Sequence, residues 1–564
     1  MSVFPANVRV FINITCFAEK GLPRFRHRIT LENLHGKRRR GTVRAGVVFD
    51  LCIVETRRIM KRIPWSTAFA VCVVASLLSV VPAQAEEYYQ PDWSSLRRAE
   101  LPDWLDGMKF GIYCHWGPRT IQNVHLDDDP DMDMLEAIEL WTGEKFSAEE
   151  WAELFKAAGA QFAGPVAWHG NGLLNWNSKI TDWNSVNHGP KVDIFGELAR
   201  EIRKRDMKVL SSFHLCEGIA IWGPMSKENP VYLDPRKDNS KWILGPEGRW
   251  SRDSMIGWAE RIEEAMDLYR PDIIWLDVSF GGTVGPELRG HFVEGRLVEG
   301  GDNFVGGVPE DIQQRVIAGY FNRAIDWGKE VAVVYKSHDI PPGIGMRDIE
   351  DGNLTGLQYD PWMADIDMNL HQHWRSWFYN PKNGIKSTDT LIDTLVDITS
   401  KNGRVLLNVP PLPDGSFSPE VRQELLEIGE WLKINGEAIY DTIPWVFYGE
   451  GPTTVKHPGH HGQGQNRGED IPKYTAKDIR FTQKNNFLYA ICLDWPGEQM
   501  VVRALGWKGK LYPGDIVNVS LLGCDEPVTW KQTGEALIVD MPAEPPCKYA
   551  YVLKIERRKA EPVR

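Results

Sequence analysis

Residues 271–277 read Pro-Asp-Ile-Ile-Trp-Leu-Asp, an apolar run that ends in a single carboxylate, Asp277. Similar runs recur between about Lys109 and Pro411, and amphipathic stretches such as Ile194–Arg205 lie between them. Strands that alternate with helices indicate a parallel sheet, and about eight repeats favour a closed (β/α)8 TIM-like barrel over an open sheet. The predicted strands are Lys109–Trp116, Gln161–His169, Lys208–Leu215, Asp272–Ser279, Glu330–Ser337, a segment around Met346–Asp360, a weak one near Trp374–Tyr379, and Arg404–Pro410.

After about Tyr440 the pattern changes to short apolar runs joined by Gly, Pro and Asn turns, without helical stretches between them. This pattern predicts a small C-terminal antiparallel β-sandwich, so we expect an α/β chain with a catalytic barrel at 86–440 and the sandwich at 441–564. The loop His457–Gly468 carries a histidine cluster, His457, His460 and His461. It lacks an acidic or cysteine partner at a fixed spacing, which favours a solvated loop over a metal site.

The first 85 residues contain the three parts of a secretory signal peptide. Met60-Lys61-Arg62 is basic, Ala68–Val81 is apolar, and Pro82-Ala83-Gln84-Ala85 resembles a cleavage site. We therefore expect a signal peptide at 60–85, export to the bacterial periplasm or exterior, and no membrane span after cleavage. Residues 1–59 are then a mis-translated upstream extension, the alternative being a basic arm that seeks nucleic acid or membrane.

Composition limits the classes of function. The formal net charge of −12 argues against nucleic-acid binding, which depends on neutralising phosphates. The 23 tryptophans suit stacking on sugar rings, although many of them will be core residues. Five cysteines remain after residue 85, an odd number that excludes a fully paired disulfide scaffold. Whether Cys524 pairs with Cys547 is left open by the sequence.

Two carboxyl groups are candidates for the catalysis of glycoside hydrolysis. Hydrolysis with retention of configuration needs one carboxylate as a nucleophile and one carboxylic acid as a proton donor. Asp277 is the candidate nucleophile, because an apolar strand delivers it to the barrel mouth. A helix N-cap would normally have a helix directly downstream, whereas Ser279-Phe280-Gly281-Gly282 follows here. Glu350 is the candidate acid, since the acidic residues around it disfavour its ionisation. The same residues are also compatible with an ordinary solvated acidic loop.

Three stretches of the chain resemble motifs of the glycoside hydrolase family 29 α-L-fucosidases, and the resemblance extends from Trp93 to about Lys554. The first is the strand Lys109–Gly117, which is similar to FGIFxHWG. The second, Asn175–Asp193, is similar to LWxSxxTxWN…GPKRD, and the third, Asp397–Pro411, to VSKNGxLLLNxxP. This resemblance implies an exo-acting retaining enzyme that releases α-L-fucose from oligosaccharides or polysaccharides without a metal or an organic cofactor.

The resemblance also implies residue roles. The nucleophile falls on Asp277 and the acid/base on Glu350, while His115 and His169 would hold sugar hydroxyls. The family's KHHDGF strand end reads Ala167-Trp168-His169-Gly170-Asn171-Gly172 here, so one family histidine is unmatched, which puts strict fucose specificity in question. The tryptophans predicted to contact the substrate, each of which could also be core, are Trp116, Trp168, Trp183 and Trp275.

Two alternatives remain at this stage. One is an α-L-galactosidase on the same scaffold, whose substrate differs from fucose by one hydroxymethyl group. The other is a glycan-binding protein without catalysis, which the presence of both carboxylates disfavours.

Overall fold

The computed structural model describes the chain in segments, which form two compact units, Met1–Ala85 and Glu86–Arg564. In the first unit, strands β1 (Val8–Glu19) and β2 (Leu22–Asn33) pair antiparallel. The predicted signal peptide at 60–85 and the histidines of the 457–468 loop lie outside the described residues. The described residues are 8–19, 22–33, 87–129, 132, 134–169, 172–214, 252–277, 290–293, 296–299, 308–336, 340–370, 377–455, 471–511 and 515–558.

The second unit contains a closed barrel of eight parallel strands, which confirms the predicted fold. The strands of the unit up to residue 408 are β3 (Phe110–Cys114), β4 (Phe162–Trp168), β5 (Lys208–Phe213), β6 (Ile273–Leu276), β7 (Gly290–Val293), β8 (Arg296–Glu299), β9 (Ala332–Lys336), β10 (Met346–Asp348), β11 (Trp362–Asp367) and β12 (Gly403–Asn408). Around the barrel their order is β3-β4-β5-β6-β9-β10-β11-β12, and β12 closes the ring on β3. Strands β7 and β8 form a separate antiparallel pair.

Helices connect the strands, as the amphipathic stretches predict. One of them begins at Ala148, and the Ser147 hydroxyl caps it by accepting a hydrogen bond from the Glu150 amide. The helices are α1 (Trp93–Leu96), α2 (Asp103–Gly107), α3 (Pro118–Val124), α4 (Met134–Leu140), α5 (Ala148–Ala157), α6 (Ile194–Lys204), α7 (Arg252–Tyr269), α8 (Glu310–Trp327), α9 (Thr388–Ser400) and α10 (Pro419–Asn435), with short 3-10 turns at Gly436–Ala438, Arg503–Leu505 and Trp507–Gly509.

The barrel strands are buried on both faces, which explains why they read as nearly continuous apolar runs. One core fills the barrel interior, and its members include Tyr113, Trp275 and Met363. A larger core includes outward-facing strand residues such as Ile112 and the apolar faces of the surrounding helices. The polar side chains that could take part in catalysis lie above the interior core, at the C-terminal ends of the barrel strands.

The seventh barrel strand lies earlier than the sequence predicted. It is Trp362–Asp367, whereas 377–379 form no strand and 371–376 lie outside the described residues. Its sequence, Trp-Met-Ala-Asp-Ile-Asp, combines apolar residues with two carboxylates, and acidic residues are rare in buried strands. The strand tolerates Asp365 because the Lys336 ammonium of β9 lies 2.9 Å from both of its carboxylate oxygens.

The C-terminal part contains two antiparallel sheets around a second core, as predicted. Its strands are β13 (Ile443–Glu450), β14 (Ile479–Lys484), β15 (Phe487–Cys492), β16 (Gln499–Val502), β17 (Ile516–Leu521), β18 (Trp530–Gln532), β19 (Leu537–Asp540) and β20 (Tyr551–Arg557). A buried ion cluster joins these sheets to the barrel, because Asp397 on α9 accepts from Lys401 at 2.6 Å and from Arg480 on β14 at 2.5 Å. Cys524 and Cys547 carry free thiols. Among the described helices, none combines the length and apolar character needed to cross a membrane.

Candidate active site

Polar side chains from all eight barrel strands, or from the residues that directly follow them, meet at the C-terminal mouth of the barrel. This is the end at which (β/α)8 enzymes carry their chemistry. These residues are all buried except the half-buried His169, and they include His115, His169, His214, Asp277, Lys336, Asp348, Glu350, Asp365 and Asn408.

Asp277 follows β6 and is bound by the histidine that follows β5. The Nδ1 atom of His214 lies 2.5 Å from Oδ2 of Asp277. Burial alone would raise the pKa of the Asp277 carboxyl, but the His214 imidazole and the Lys336 ammonium outweigh that effect and hold the pKa below its usual value. Asp277 is therefore ionised at neutral pH, which is the state that a nucleophilic carboxylate requires.

Lys336 lies among four carboxylates. Its Nζ is 2.9 Å from Asp348 Oδ2, 2.9 Å from Asp365 Oδ1, 3.4 Å from Glu350 Oε2 and 4.0 Å from Asp277 Oδ1. Burial and the neighbouring carboxylates raise the pKa of Asp365 well above its usual value, and burial raises that of Asp348. One ammonium does not neutralise four carboxylates, so the cluster favours protonation at Asp348 and Asp365.

Three histidine rings form a compact cluster beside Asp277. The ring centres of His169 and His214 are 4.4 Å apart, and that of His115 lies 5.3 Å from His169 and 5.5 Å from His214. Burial and the nearby His214 lower the pKa of His115 to about 3, and they lower that of His169 well below its usual value. Both of these imidazoles are therefore neutral, and Nδ1 of His115 lies 2.9 Å from the Asn408 side-chain oxygen, which leaves its Nε2 for a ligand.

Aromatic residues of the segment after β11 pack against this cluster. The rings of Trp377 and Phe378 each lie 5.4 Å from the His115 ring, and Phe378 lies 5.0 Å from that of His169. Trp377 is half-buried, whereas Phe378 is buried. Neither residue follows from the sequence motifs.

Comparison with known proteins identifies the family. The α-L-fucosidase model matches residues 76–437, and the α-L-fucosidase C-terminal domain model matches residues 473–556. The chain belongs to the α-L-fucosidase family. This confirms the predicted resemblance, and it makes the chain a glycoside hydrolase that acts on α-L-fucosides.

Relatives and solved structures agree with this family. The chain is 26% identical to an α-L-fucosidase of Branchiostoma floridae over 513 residues, which cover 85% of this chain and 98% of the relative. It is also 26% identical to the human tissue α-L-fucosidase, with 85% and 94% coverage. The crystal structure of Thermotoga maritima α-fucosidase in complex with fucose superposes with a TM-score of 0.59, at 26% identity, and covers 83% of this chain and 100% of the other.

This α-L-fucosidase departs from the family motif at Trp168. Trp168 is only 2% exposed and belongs to the core shared with the helices, and the Arg261 guanidinium of α7 lies 5.8 Å from its ring centre. His214, at the end of the next strand, lies beside His115 and His169 in the histidine cluster. The sequence places His214 near the end of the predicted strand Lys208–Leu215 but gives it no role, because no motif covers it.

The other predicted aromatic contacts are also buried. Trp116 stacks on Phe146 at 5.2 Å and donates its indole N–H to the Leu412 carbonyl. Trp183 is 5% exposed, and Trp275 lies in the barrel interior with the Lys336 ammonium 4.4 Å from its ring centre. Contact of these rings with the sugar stays a prediction.

Proposed function

We propose that this fucosidase removes terminal α-L-fucose with retention, by double displacement, with Asp277 as the nucleophile and Glu350 as the acid/base. The observation that carries these roles is that both carboxylates lie within 4.0 Å of the same ammonium, Lys336 Nζ, at the mouth of the barrel. A shared neighbour of this kind keeps the two groups at one site, as retaining hydrolysis requires.

In the first step, a carboxylate oxygen of Asp277 attacks the anomeric carbon and the bond to the leaving oxygen breaks. Glu350 gives its proton to that oxygen, so the aglycone departs as an alcohol and a fucosyl ester of Asp277 remains. His214 binds Oδ2, while Oδ1 faces Lys336 at 4.0 Å. Asp277 Oδ1 is thus the oxygen better suited to attack.

In the second step, Glu350 is a carboxylate and takes a proton from water as that water attacks the anomeric carbon. The ester bond to Asp277 breaks, α-L-fucose leaves, and both side chains return to their starting states. The Lys336 ammonium stabilises negative charge on either carboxylate throughout the cycle, because it contacts both of them in a buried environment. The route uses neither a metal nor an organic cofactor.

Sugar recognition is assigned to the histidine cluster. His115 and His169 carry this role by resemblance to the family, and His214 adds a third imidazole next to the nucleophile. Trp116, Trp168, Trp183 and Trp275 remain proposed substrate contacts. The substrate is a fucosylated oligosaccharide or polysaccharide.

Export from a bacterial cell is the second part of the proposal. It is supported by the order of basic, apolar and small residues within Met60–Ala85. The proposed organisation is an upstream extension at 1–59, a signal peptide at 60–85, a catalytic barrel at 86–440 and a sandwich at 441–564. The location of the mature protein is then periplasmic or extracellular.

One experiment tests the activity and the specificity together. The purified protein is incubated with matched aryl α-L-fucoside and α-L-galactoside, and the configuration of the first sugar released is followed by proton NMR. We expect faster release of fucose, with the α anomer appearing before mutarotation. Initial release of the β anomer would exclude the double-displacement mechanism, and preference for the galactoside would exclude fucose as the main substrate.

A further inference from the structure

The histidine cluster has the composition of a metal site as well as of a sugar site. One ligand nitrogen from each of His115, His169 and His214 can be chosen so that all three atoms lie within 4.8 Å of one another. All three side chains lie at the mouth of the barrel, where His115 and His214 are buried and His169 is half-buried. Three imidazoles without a carboxylate among the ligand atoms are a donor set that suits zinc, copper and nickel rather than calcium or magnesium.

The outer contacts of two of these histidines match those of metal ligands. His115 Nδ1 lies 2.9 Å from the Asn408 side-chain carbonyl, and His214 Nδ1 lies 2.5 Å from the Asp277 carboxylate. An oxygen acceptor on one ring nitrogen fixes the tautomer and leaves the other nitrogen, Nε2, as the donor of a lone pair. Among the described residues, Nε2 of His214 is buried and has no hydrogen-bond partner. Buried nitrogens without a hydrogen-bond partner are uncommon in folded proteins, and this one is free to accept a bond from a bound ligand.

We propose that His115, His169 and His214 bind a borderline divalent cation of the Zn²⁺ class, and that this cation and α-L-fucose exclude each other. Three imidazoles leave one tetrahedral position for water, the arrangement of an open zinc site. Zinc–nitrogen bonds of about 2.0–2.1 Å would draw the ligand atoms together from their present spacing. The exclusion rests on the proposed function, since the same nitrogens would otherwise hold sugar hydroxyls.

The cation would act as a reversible inhibitor and not as a cofactor. It would occupy the sugar-binding cluster and would lie one imidazole away from Asp277, because His214 contacts both. Inhibition by Zn²⁺ should therefore raise KM without lowering kcat, and a chelator should restore the full rate. Activity in the absence of metal tests the proposed function separately.

Calorimetric titration with ZnCl₂ tests the site directly. The protein is the full chain without a polyhistidine tag and with His457, His460 and His461 replaced by Gln, because that loop could bind zinc on its own. Into this background we place His169→Gln and, as a matched control, His125→Gln, which alters a half-buried histidine at the end of α3. Thermal unfolding of each variant establishes that it is folded.

We expect one zinc site in the background protein and in the His125→Gln control. His169→Gln should bind at least about 100-fold more weakly, since even outer contacts of metal ligands contribute roughly 10- to 100-fold in affinity. Saturating L-fucose should weaken zinc binding in the background protein. Equal zinc affinity in the two variants, or no zinc binding in the background, would overturn the site, and zinc binding unaffected by fucose would overturn the exclusion.

A spectroscopic measurement keeps the test independent of any substitution in the cluster. Co²⁺ replaces Zn²⁺ in the background protein, and the visible absorption reports its geometry. We expect the intense bands of tetrahedral cobalt, which L-fucose should remove. The weak spectrum of octahedral, hydrated cobalt would contradict a three-histidine site.

Discussion

The Nδ1 atom of His214 lies 2.5 Å from Oδ2 of Asp277, and this contact joins the ends of two neighbouring barrel strands. It couples a residue that no family motif covers to the residue that we propose as the nucleophile. The contact fixes the orientation of the carboxylate, and it also helps to hold the pKa of Asp277 below its usual value.

Replacing His214 should move the acid limb of the pH–rate profile. In His214→Phe, only Lys336 still opposes the effect of burial, so the pKa of Asp277 rises. When the pH is lowered, Asp277 is therefore protonated, and activity lost, at a higher pH than in the wild type. At neutral pH we expect kcat/KM to decrease roughly 10- to 100-fold, because a hydrogen bond to a charged group contributes about 1.5–3 kcal/mol. The measurement is kcat/KM for an aryl fucoside between pH 4 and 8, with His125→Gln as the control. An acid limb at the wild-type pH would show that His214 does not tune the nucleophile.

Replacing Lys336 should give a protein whose stability increases as the pH falls from 7 to 5, which is the reverse of acid denaturation. Lys336→Met leaves buried carboxylates without their cation, and we expect a loss of about 3–5 kcal/mol in the free energy of unfolding at pH 7. Without the ammonium, the folded-state pKa values of Asp348 and Asp365 lie further above their unfolded values. The folded variant then takes up protons more readily, so part of the lost stability returns as the pH falls from 7 to 5.

The matched control for this prediction is Lys382→Met. Lys382 forms an exposed ion pair with Asp127, and exposed pairs contribute about 0–1 kcal/mol. Both variants are unfolded in urea at pH 7 and at pH 5. A Lys336→Met protein as stable as the control at both pH values would contradict the central place of Lys336 among the carboxylates.

The sequence predicted most of the fold because most barrel strands are short and largely apolar runs, as is usual for strands buried on both faces. Strand β11 departs from this pattern, and its Asp365 is stabilised by Lys336 on a strand about 30 residues earlier in the sequence. No local pattern reveals that pairing, since it depends on barrel closure. The sequence instead predicts this strand near Trp374–Tyr379, where aromatic residues are concentrated. Two of them, Trp377 and Phe378, pack against the histidine cluster.

Site residues that lie in one contiguous segment could be predicted from the sequence, whereas contacts between residues of different strands could not. Asp277, Glu350, His115 and His169 were named from their segments, and the structure brings all four to one end of the barrel. Asn408 shares a motif with its neighbours, but its contact with the His115 imidazole appears only in three dimensions. The same holds for the contact of His214 with Asp277, which joins residues of two strands.

Removing Glu350 should separate the two chemical steps. In Glu350→Ala, an aryl fucoside with a good leaving group should still form the fucosyl ester, because its departure needs little protonation. Azide should then restore turnover by attacking from the vacated space, and the product should be α-fucosyl azide. Natural glycans should be almost inert, since their leaving alcohols need a proton. Wild-type protein with azide is the control, and a variant that hydrolyses both substrates at the wild-type rate would place the acid elsewhere.

Export predicts a defined N-terminus. If residues 60–85 act as a signal peptide, the protein recovered outside the inner membrane should begin at Glu86 or a neighbouring residue. Sequencing of the exported protein checks this, with Ala83→Leu and Ala85→Leu as a control that should block cleavage. A mature protein that retains residues 1–59 would refute both the signal peptide and the upstream extension.

The most direct test of the account is to trap the fucosyl-enzyme. A 2-deoxy-2-fluoro-α-L-fucosyl fluoride slows both steps but carries a leaving group that needs no proton, so the ester accumulates. Peptide mass spectrometry of the inactivated protein should find the fluorofucosyl group on Asp277, in wild type and in Glu350→Gln alike. A label on Asp348 or another carboxylate, or a protein that turns the reagent over without labelling, would contradict Asp277 as the nucleophile.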